Sequence, residues 1–232
     1  MNEDAFVFLD LDDTILDFHA AEKIAIENTF ISHGIEHGED ILSRYSEINI
    51  ACWEMLERGE IEREKLMTER FRLLFEERGI SASPVSVQNE YESRLSRGHF
   101  FMPGAVELLE ALHGKYGLYM TSNGTKSVQE GRIKSAGIAK YYSGIFISED
   151  IGFEKPDRRF FDHVFSSIEG FDRQRAVIIG DSLTSDILGG INAGIKTVWF
   201  SHRGKAPRDD IVPDYTVKSL SELPALLERI FN

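Results

Sequence analysis

Four short blocks of this chain carry side chains that could do chemistry on a phosphoryl group. The first is Asp10-Leu11-Asp12-Asp13-Thr14, with two carboxylates two residues apart directly after an apolar run. The second is Thr121-Ser122-Asn123-Gly124, a hydroxyl followed by an amide and a glycine. The third is Glu154-Lys155-Pro156, and the fourth is Gly180-Asp181-Ser182, followed by Asp186. Phosphate esters resist attack because their own negative charge repels nucleophiles, so a carboxylate can attack only when it is aligned and the charge is neutralised. Acidic side chains can hold a hard cation, a lysine can neutralise charge, and a hydroxyl beside an amide can donate to phosphoryl oxygens. Together the four blocks hold all of these.

Such residues act only if the fold gathers them. Short apolar runs at residues 5–9, 118–121, 145–148, 176–179 and 197–200 read as buried strands. Helical patterns lie between them: Val106, Leu109 and Leu112 after Pro103; Val128, Arg132 and Ile133 up to Gly137; Phe160, Phe161, Val164 and Phe165 after Pro156; and residues 185–193 up to Gly194. This alternation predicts an α/β chain with a parallel sheet covered on both faces. Ligands of such sheets bind beyond the carboxyl ends of the strands, which is where the four blocks fall.

Residues 18–98 break the rhythm and contain only helical patterns. One sets Ile41, Tyr45, Ile48, Cys52 and Met55 on a common face; a second carries Leu66, Phe71, Leu74 and Phe75 up to Gly79. A third opens at Ser83-Pro84, an N-cap followed by proline at the first helical position. The expected organisation is a core of residues 1–17 and 99–232, with an all-helical insertion at 18–98 joined by short hinges.

Twenty-six basic residues against 39 acidic ones give a net charge of −13, and no basic run would track a phosphate backbone, so a nucleic-acid polymer is not an expected partner. Residues 5–9 are too brief for a signal peptide, lack a basic leader, and no apolar segment approaches a membrane span. The lone Cys52 excludes an internal disulfide and fits a reducing compartment, so a cytoplasmic protein with no membrane partner is expected.

In this order, the four blocks resemble the motifs of the haloacid dehalogenase (HAD) superfamily, and the resemblance covers the whole chain. It implies a Rossmann-like three-layer core with a helical cap of the C1 type. It also implies catalytic roles for Asp10 as nucleophile, Asp12 as general acid and base, and Lys155. Phosphate binding would fall to Ser122, Asn123, Gly124 and Lys155. Mg²⁺ would be held by Asp10, Asp181 and the backbone carbonyl of Asp12, with Asp186 and Thr14 in outer positions. Dehalogenases of the superfamily lack an acid at the position of Asp12, so its presence points to phosphoryl transfer.

The stretch Gly180 to Gly194, and in the cap Trp53, Glu57 to Ile61 and Arg70-Phe71, are similar to the pyrimidine 5′-nucleotidase branch, although many members carry threonine where this chain has Ser122. A phosphoglycolate or sugar-phosphate phosphatase, a phosphomutase and, from another class, a phospho-aspartate receiver are the alternatives. The expected partner is a small phosphate ester, the expected assembly a monomer or homodimer. Taken singly, each block has a plainer reading as an acidic turn, a helix cap or a surface lysine. In the cap, Trp53, Phe71 and Cys52 read as core, Arg44, Arg58 and Arg63 as solvated charges, and His19 is not assigned to the site.

Overall fold

A computed structural model describes residues 5–204 and 206–232; the acidic opening at residues 1–4 lies outside them. The chain divides into two compact units, residues 1–18 with 99–232, and residues 19–98.

The larger unit starts with strand β1 (Phe6–Leu9), from which the chain leaves into the second unit. That unit is built from helices α1 (Phe18–Ser32), α2 (Glu39–Glu57), α3 (Arg63–Arg78) and α4 (Pro84–Leu95). The chain then returns through α5 (Ala105–Leu112), β2 (Gly117–Ser122), α6 (Lys126–Ala136), β3 (Gly144–Ile147), α7 (Ser148–Ile151) and α8 (Arg158–Ser166). It ends with β4 (Ala176–Gly180), α9 (Leu188–Ala193), β5 (Lys196–Phe200), β6 (Tyr215–Val217) and α10 (Leu223–Phe231). The six strands form one sheet in the order β3-β2-β1-β4-β5-β6, with every neighbouring pair parallel.

Alternation along the strands builds two cores. Val7 and Leu9 of β1 point to one face and join Leu118, Met120, Val177 and Ile179 against α5 and α10. Phe6 and Phe8 point to the other and pack with Phe160, Phe161, Val164 and Phe165 of α8. This is the covered parallel sheet that the sequence pattern predicts. β6 is absent from that pattern: three residues long, at the sheet edge and exposed at Tyr215 and Thr216, it carries no apolar run. The helix expected over 185–193 instead opens with a π-helical turn at Leu183–Ile187 before α9. The Ser182 hydroxyl caps it by accepting from the N–H of Ser185, at 3.2 Å.

In the helical unit, Ser83 caps α4 by accepting from the N–H of Ser86, with Pro84 at the first position, as the sequence predicts. Its core is aromatic, with Tyr45 stacked on Phe71 at 5.0 Å and both meeting Tyr91 at 5.8 Å. Phe71 and Cys52 are buried. Trp53 is not core: it is half-buried, with the Arg63 guanidinium 5.4 Å above its ring.

A polar chain crosses this core. The Glu22 carboxylate accepts from Ser46 and from Asn49, whose carbonyl accepts from Arg70, which also donates to Gln88. Burial pushes the Glu22 carboxyl up, against the hydrogen bonds and the positive charge of Arg70. Arg70→Met should therefore destabilise the protein by about 3 kcal/mol at neutral pH, because a buried charge loses its compensation. Because the folded carboxyl titrates above its unfolded value, the penalty is absent below about 4.5, grows as pH rises and is complete above the folded pKa. Thermal melts of variant and wild type between pH 4 and 8 should converge on the acid side. Among the described residues, no helix is long and apolar enough to cross a membrane.

Candidate active site

β1 is central, and its neighbours β2 and β4 lead to opposite sides of the sheet, so a crevice opens at its carboxyl end. Asp10 sits there, its N–H continuing the ladder to the Ile179 carbonyl at 3.0 Å. Lys155 reaches the same point after α7. Its buried ammonium donates to Asp10 at 2.8 Å, to Asp186 at 2.6 Å and to the Thr121 carbonyl at 2.8 Å, using all three of its protons. Asp186 is steered inward by the π turn, and its second oxygen accepts from the N–H of Ser182. Gly180 makes this possible, since a Cβ there would run into the Asp186 carboxylate.

The carboxylates of Asp10, Asp181 and Asp186 all lie within 4.8 Å of one another and all three residues are buried. One lysine cannot balance three carboxylates. Burial, with the Asp186 charge second, pushes the Asp10 carboxyl well above the usual range, although Lys155 pulls it down. Burial opposes the Lys155 charge, but Asp10 and Asp186 outweigh it and keep the ammonium protonated. The donor set is hard oxygen with surplus negative charge, which suits a small divalent cation.

The second block brings a hydroxyl and an amide to the same edge of the sheet. Ser122 ends β2, buried, with its hydroxyl accepting from Gln129 at 2.7 Å. The Asn123 side chain is spent on the lysine loop: its amide donates to the Lys155 carbonyl at 2.7 Å and its oxygen accepts from the Lys155 N–H at 2.8 Å. It braces the lysine. Gly124 leaves room for Gln129, whose Cγ would lie 2.5 Å from a Cβ at that position. Thr14 is buried with its hydroxyl unpartnered.

Asp12 is partly exposed and held at both oxygens, by Arg132 at Oδ1 and by Gln129 at Oδ2. Asp13 has a φ of 57° and accepts from the N–H of Phe18 at 3.0 Å and from Arg203 at 2.9 Å; Arg203 also reaches Asp17. Gln129 and Arg203 had no sequence signal. Arg132 had a faint one, since a charged residue shares a helix face with Val128 and Ile133.

With this geometry in place, comparison with known proteins decides the family. The profile of the haloacid dehalogenase-like hydrolases matches residues 5–194. The chain belongs to that family. The HAD-hydrolase YfnB of Bacillus subtilis is 36% identical over 95% of this chain and 94% of its own. The crystal structure of YfnB bound to magnesium superposes with a TM-score of 0.92, at 35% identity, over 97% of this chain and 99% of that one. Two pyrimidine 5′-nucleotidases also match end to end. PynA of Streptococcus pneumoniae is 34% identical over 97% and 95% of the two chains, and YjjG of Escherichia coli is 29% identical over 96% and 97%. The chain is thus an enzyme, a phosphatase of the HAD-like hydrolases.

Proposed function

We propose that this HAD-like enzyme hydrolyses pyrimidine nucleoside 5′-monophosphates through an aspartyl phosphate formed on Asp10. The observation that carries the chemistry is the buried contact of Lys155 with Asp10 at 2.8 Å, with the Asp12 carboxylate two residues along the chain. An oxygen of Asp10 attacks phosphorus while the bond to the leaving oxygen breaks. Asp12, as the acid, gives its proton to that oxygen and releases the nucleoside. Asp12, now a carboxylate, takes a proton from water, whose oxygen attacks the phosphorus and returns Asp10 with inorganic phosphate. Lys155 neutralises the nucleophile and the phosphoryl group, and Ser122 donates to a phosphoryl oxygen. Asn123 keeps Lys155 in place.

The three clustered carboxylates fit Mg²⁺, for which Asp10, Asp181 and the Asp12 carbonyl are the proposed ligands and Asp186 the support of Lys155. When bound, the ion would offset the negative charge that otherwise opposes nucleophilic attack. The nucleotide substrate is supported by the end-to-end relatedness to PynA and YjjG. The protein is proposed to work as a monomer or homodimer on a small ester in the cytoplasm.

A panel of UMP, dUMP, TMP, phosphoglycolate and hexose phosphates, compared by kcat/KM, tests the substrate. The pyrimidine nucleotides should lead; equal or faster turnover of phosphoglycolate or a sugar phosphate refutes the nucleotide assignment. Activity should vanish in excess chelator and return with Mg²⁺. Asp12→Asn should still bind phosphate but turn over about 10²–10⁴-fold more slowly, the usual worth of a positioned acid or base. Wild-type turnover in that variant would remove Asp12 from the mechanism.

A further inference from the structure

Asp12 is gripped by two residues of α6 that are 117 and 120 positions further along the chain. Gln129 and Arg132 lie three apart, hence on one helical face, and both are buried although polar. The Gln129 amide has two protons and divides them, donating at 2.7 Å to Asp12 Oδ2 and at 2.7 Å to the Ser122 hydroxyl. Arg132 donates from one nitrogen to Asp12 Oδ1 and, at 3.2 Å, to the Gln129 carbonyl oxygen.

A purely structural ion pair accounts poorly for this arrangement. The Arg132 guanidinium is fully buried, yet Nε and the second terminal nitrogen have no acceptor, a costly state for buried donors. Besides Gln129, the buried face of α6 holds the apolar Val128 and Ile133, so an apolar side chain in place of Arg132 would serve packing there. The Phe18 ring lies 5.6 Å from the guanidinium and gives it an apolar floor. Gly124 has no side chain where one would displace Gln129.

We propose that Arg132 and Gln129 are positioning residues that fix the Asp12 carboxylate relative to the Ser122 hydroxyl. The shared amide ties the proton-transfer group to the phosphoryl-binding hydroxyl, so both are set by one rigid helix. With one of its three nitrogens on Asp12, the guanidinium can keep hold of the carboxylate as it turns from leaving oxygen to attacking water. This inference rests on Asp12 being the acid and base of the proposed phosphatase reaction.

The test is a double-mutant cycle of Arg132→Met with Asp12→Asn, read with an alkyl phosphate and with p-nitrophenyl phosphate. Because kcat/KM reports the steps up to the phosphoenzyme, it senses the acid only when the leaving group needs a proton. Arg132→Met should lower kcat/KM for the alkyl ester by about 10–100-fold, the scale of a small misplacement of a catalytic group. For p-nitrophenyl phosphate, whose anion leaves unaided, the loss should stay within about 3-fold. In the Asp12→Asn background, Arg132→Met should add less than about 3-fold with the alkyl ester, since the group it positions is gone. Gln129→Met, which keeps volume and removes only the amide, should show the same leaving-group dependence and supplies the test if Arg132→Met does not fold. Equal losses with both esters, or full additivity with Asp12→Asn, overturn the positioning role while leaving the reaction intact. Full turnover of Asp12→Asn itself overturns both.

Discussion

Asp10→Asn should lower kcat by roughly 10⁵-fold or more, the scale seen when a catalytic nucleophile is removed. It should leave the protein more stable than wild type. The amide cannot form the acyl phosphate, so no residual route runs through this position. The stability gain has a separate origin. Burial and the Asp186 charge hold the wild-type carboxyl well above its ordinary range, so at neutral pH the folded state carries an unfavourable charge. Asparagine removes that charge, and Lys155 keeps Asp186 at 2.6 Å. A gain of about 1 kcal/mol is expected, a common trade between activity and stability. Activity on p-nitrophenyl phosphate and a thermal melt in chelator check the pair of effects. Loss of activity with a lower melting temperature would instead make Asp10 structural, and wild-type turnover would remove it as nucleophile.

Lys155→Met has the second largest expected effect, on stability and rate together. The lysine joins two buried carboxylates, and without it Asp10 and Asp186 face each other uncompensated. Breaking such a buried set by removing one member costs about 3–5 kcal/mol. Loss of the positive charge beside the phosphoryl group should lower kcat by at least about 10²–10³-fold. Two conditions should restore part of the stability. Acid helps because burial holds the Asp10 carboxyl above its unfolded value: the deficit is largest at neutral pH and shrinks as pH falls and Asp10 takes up a proton. Mg²⁺ should help because it replaces part of the missing positive charge, so millimolar Mg²⁺ should raise the melting temperature of Lys155→Met more than that of wild type. An unchanged melting temperature in chelator would show that the carboxylates do not repel as their burial implies. Lys155→Arg is not expected to rescue, since the ammonium meets three acceptors around one nitrogen and a planar fork cannot.

The sheet, and the residues gathered at its carboxyl edge, were legible in the chain alone. Buried parallel strands read as unbroken apolar runs, and the blocks that follow them fall at one edge of the sheet because every strand points the same way. Asp10, Ser122, Lys155 and Asp181 were legible for that local reason, as was the helical character of residues 18–98. β6 was not, since three edge residues with two exposed carry no periodic signal.

Tertiary structure alone decided which groups those residues hold. Asn123 has the composition of a phosphate-binding turn, but the lysine loop lies across it and takes both ends of its amide. Asp186 was expected in an outer position, and it is the π turn that sets its carboxylate against Lys155. Trp53 sits among apolar residues in the sequence, yet it stays partly exposed and Arg63 stacks on it. Arg132 and Gln129 meet Asp12 because α6 folds back over the end of β1, more than a hundred residues from where that carboxylate is encoded. Strand and helix periods act over a few neighbours and leave a pattern in the chain. A hydrogen bond between distant side chains leaves none, because either partner alone is an ordinary polar residue.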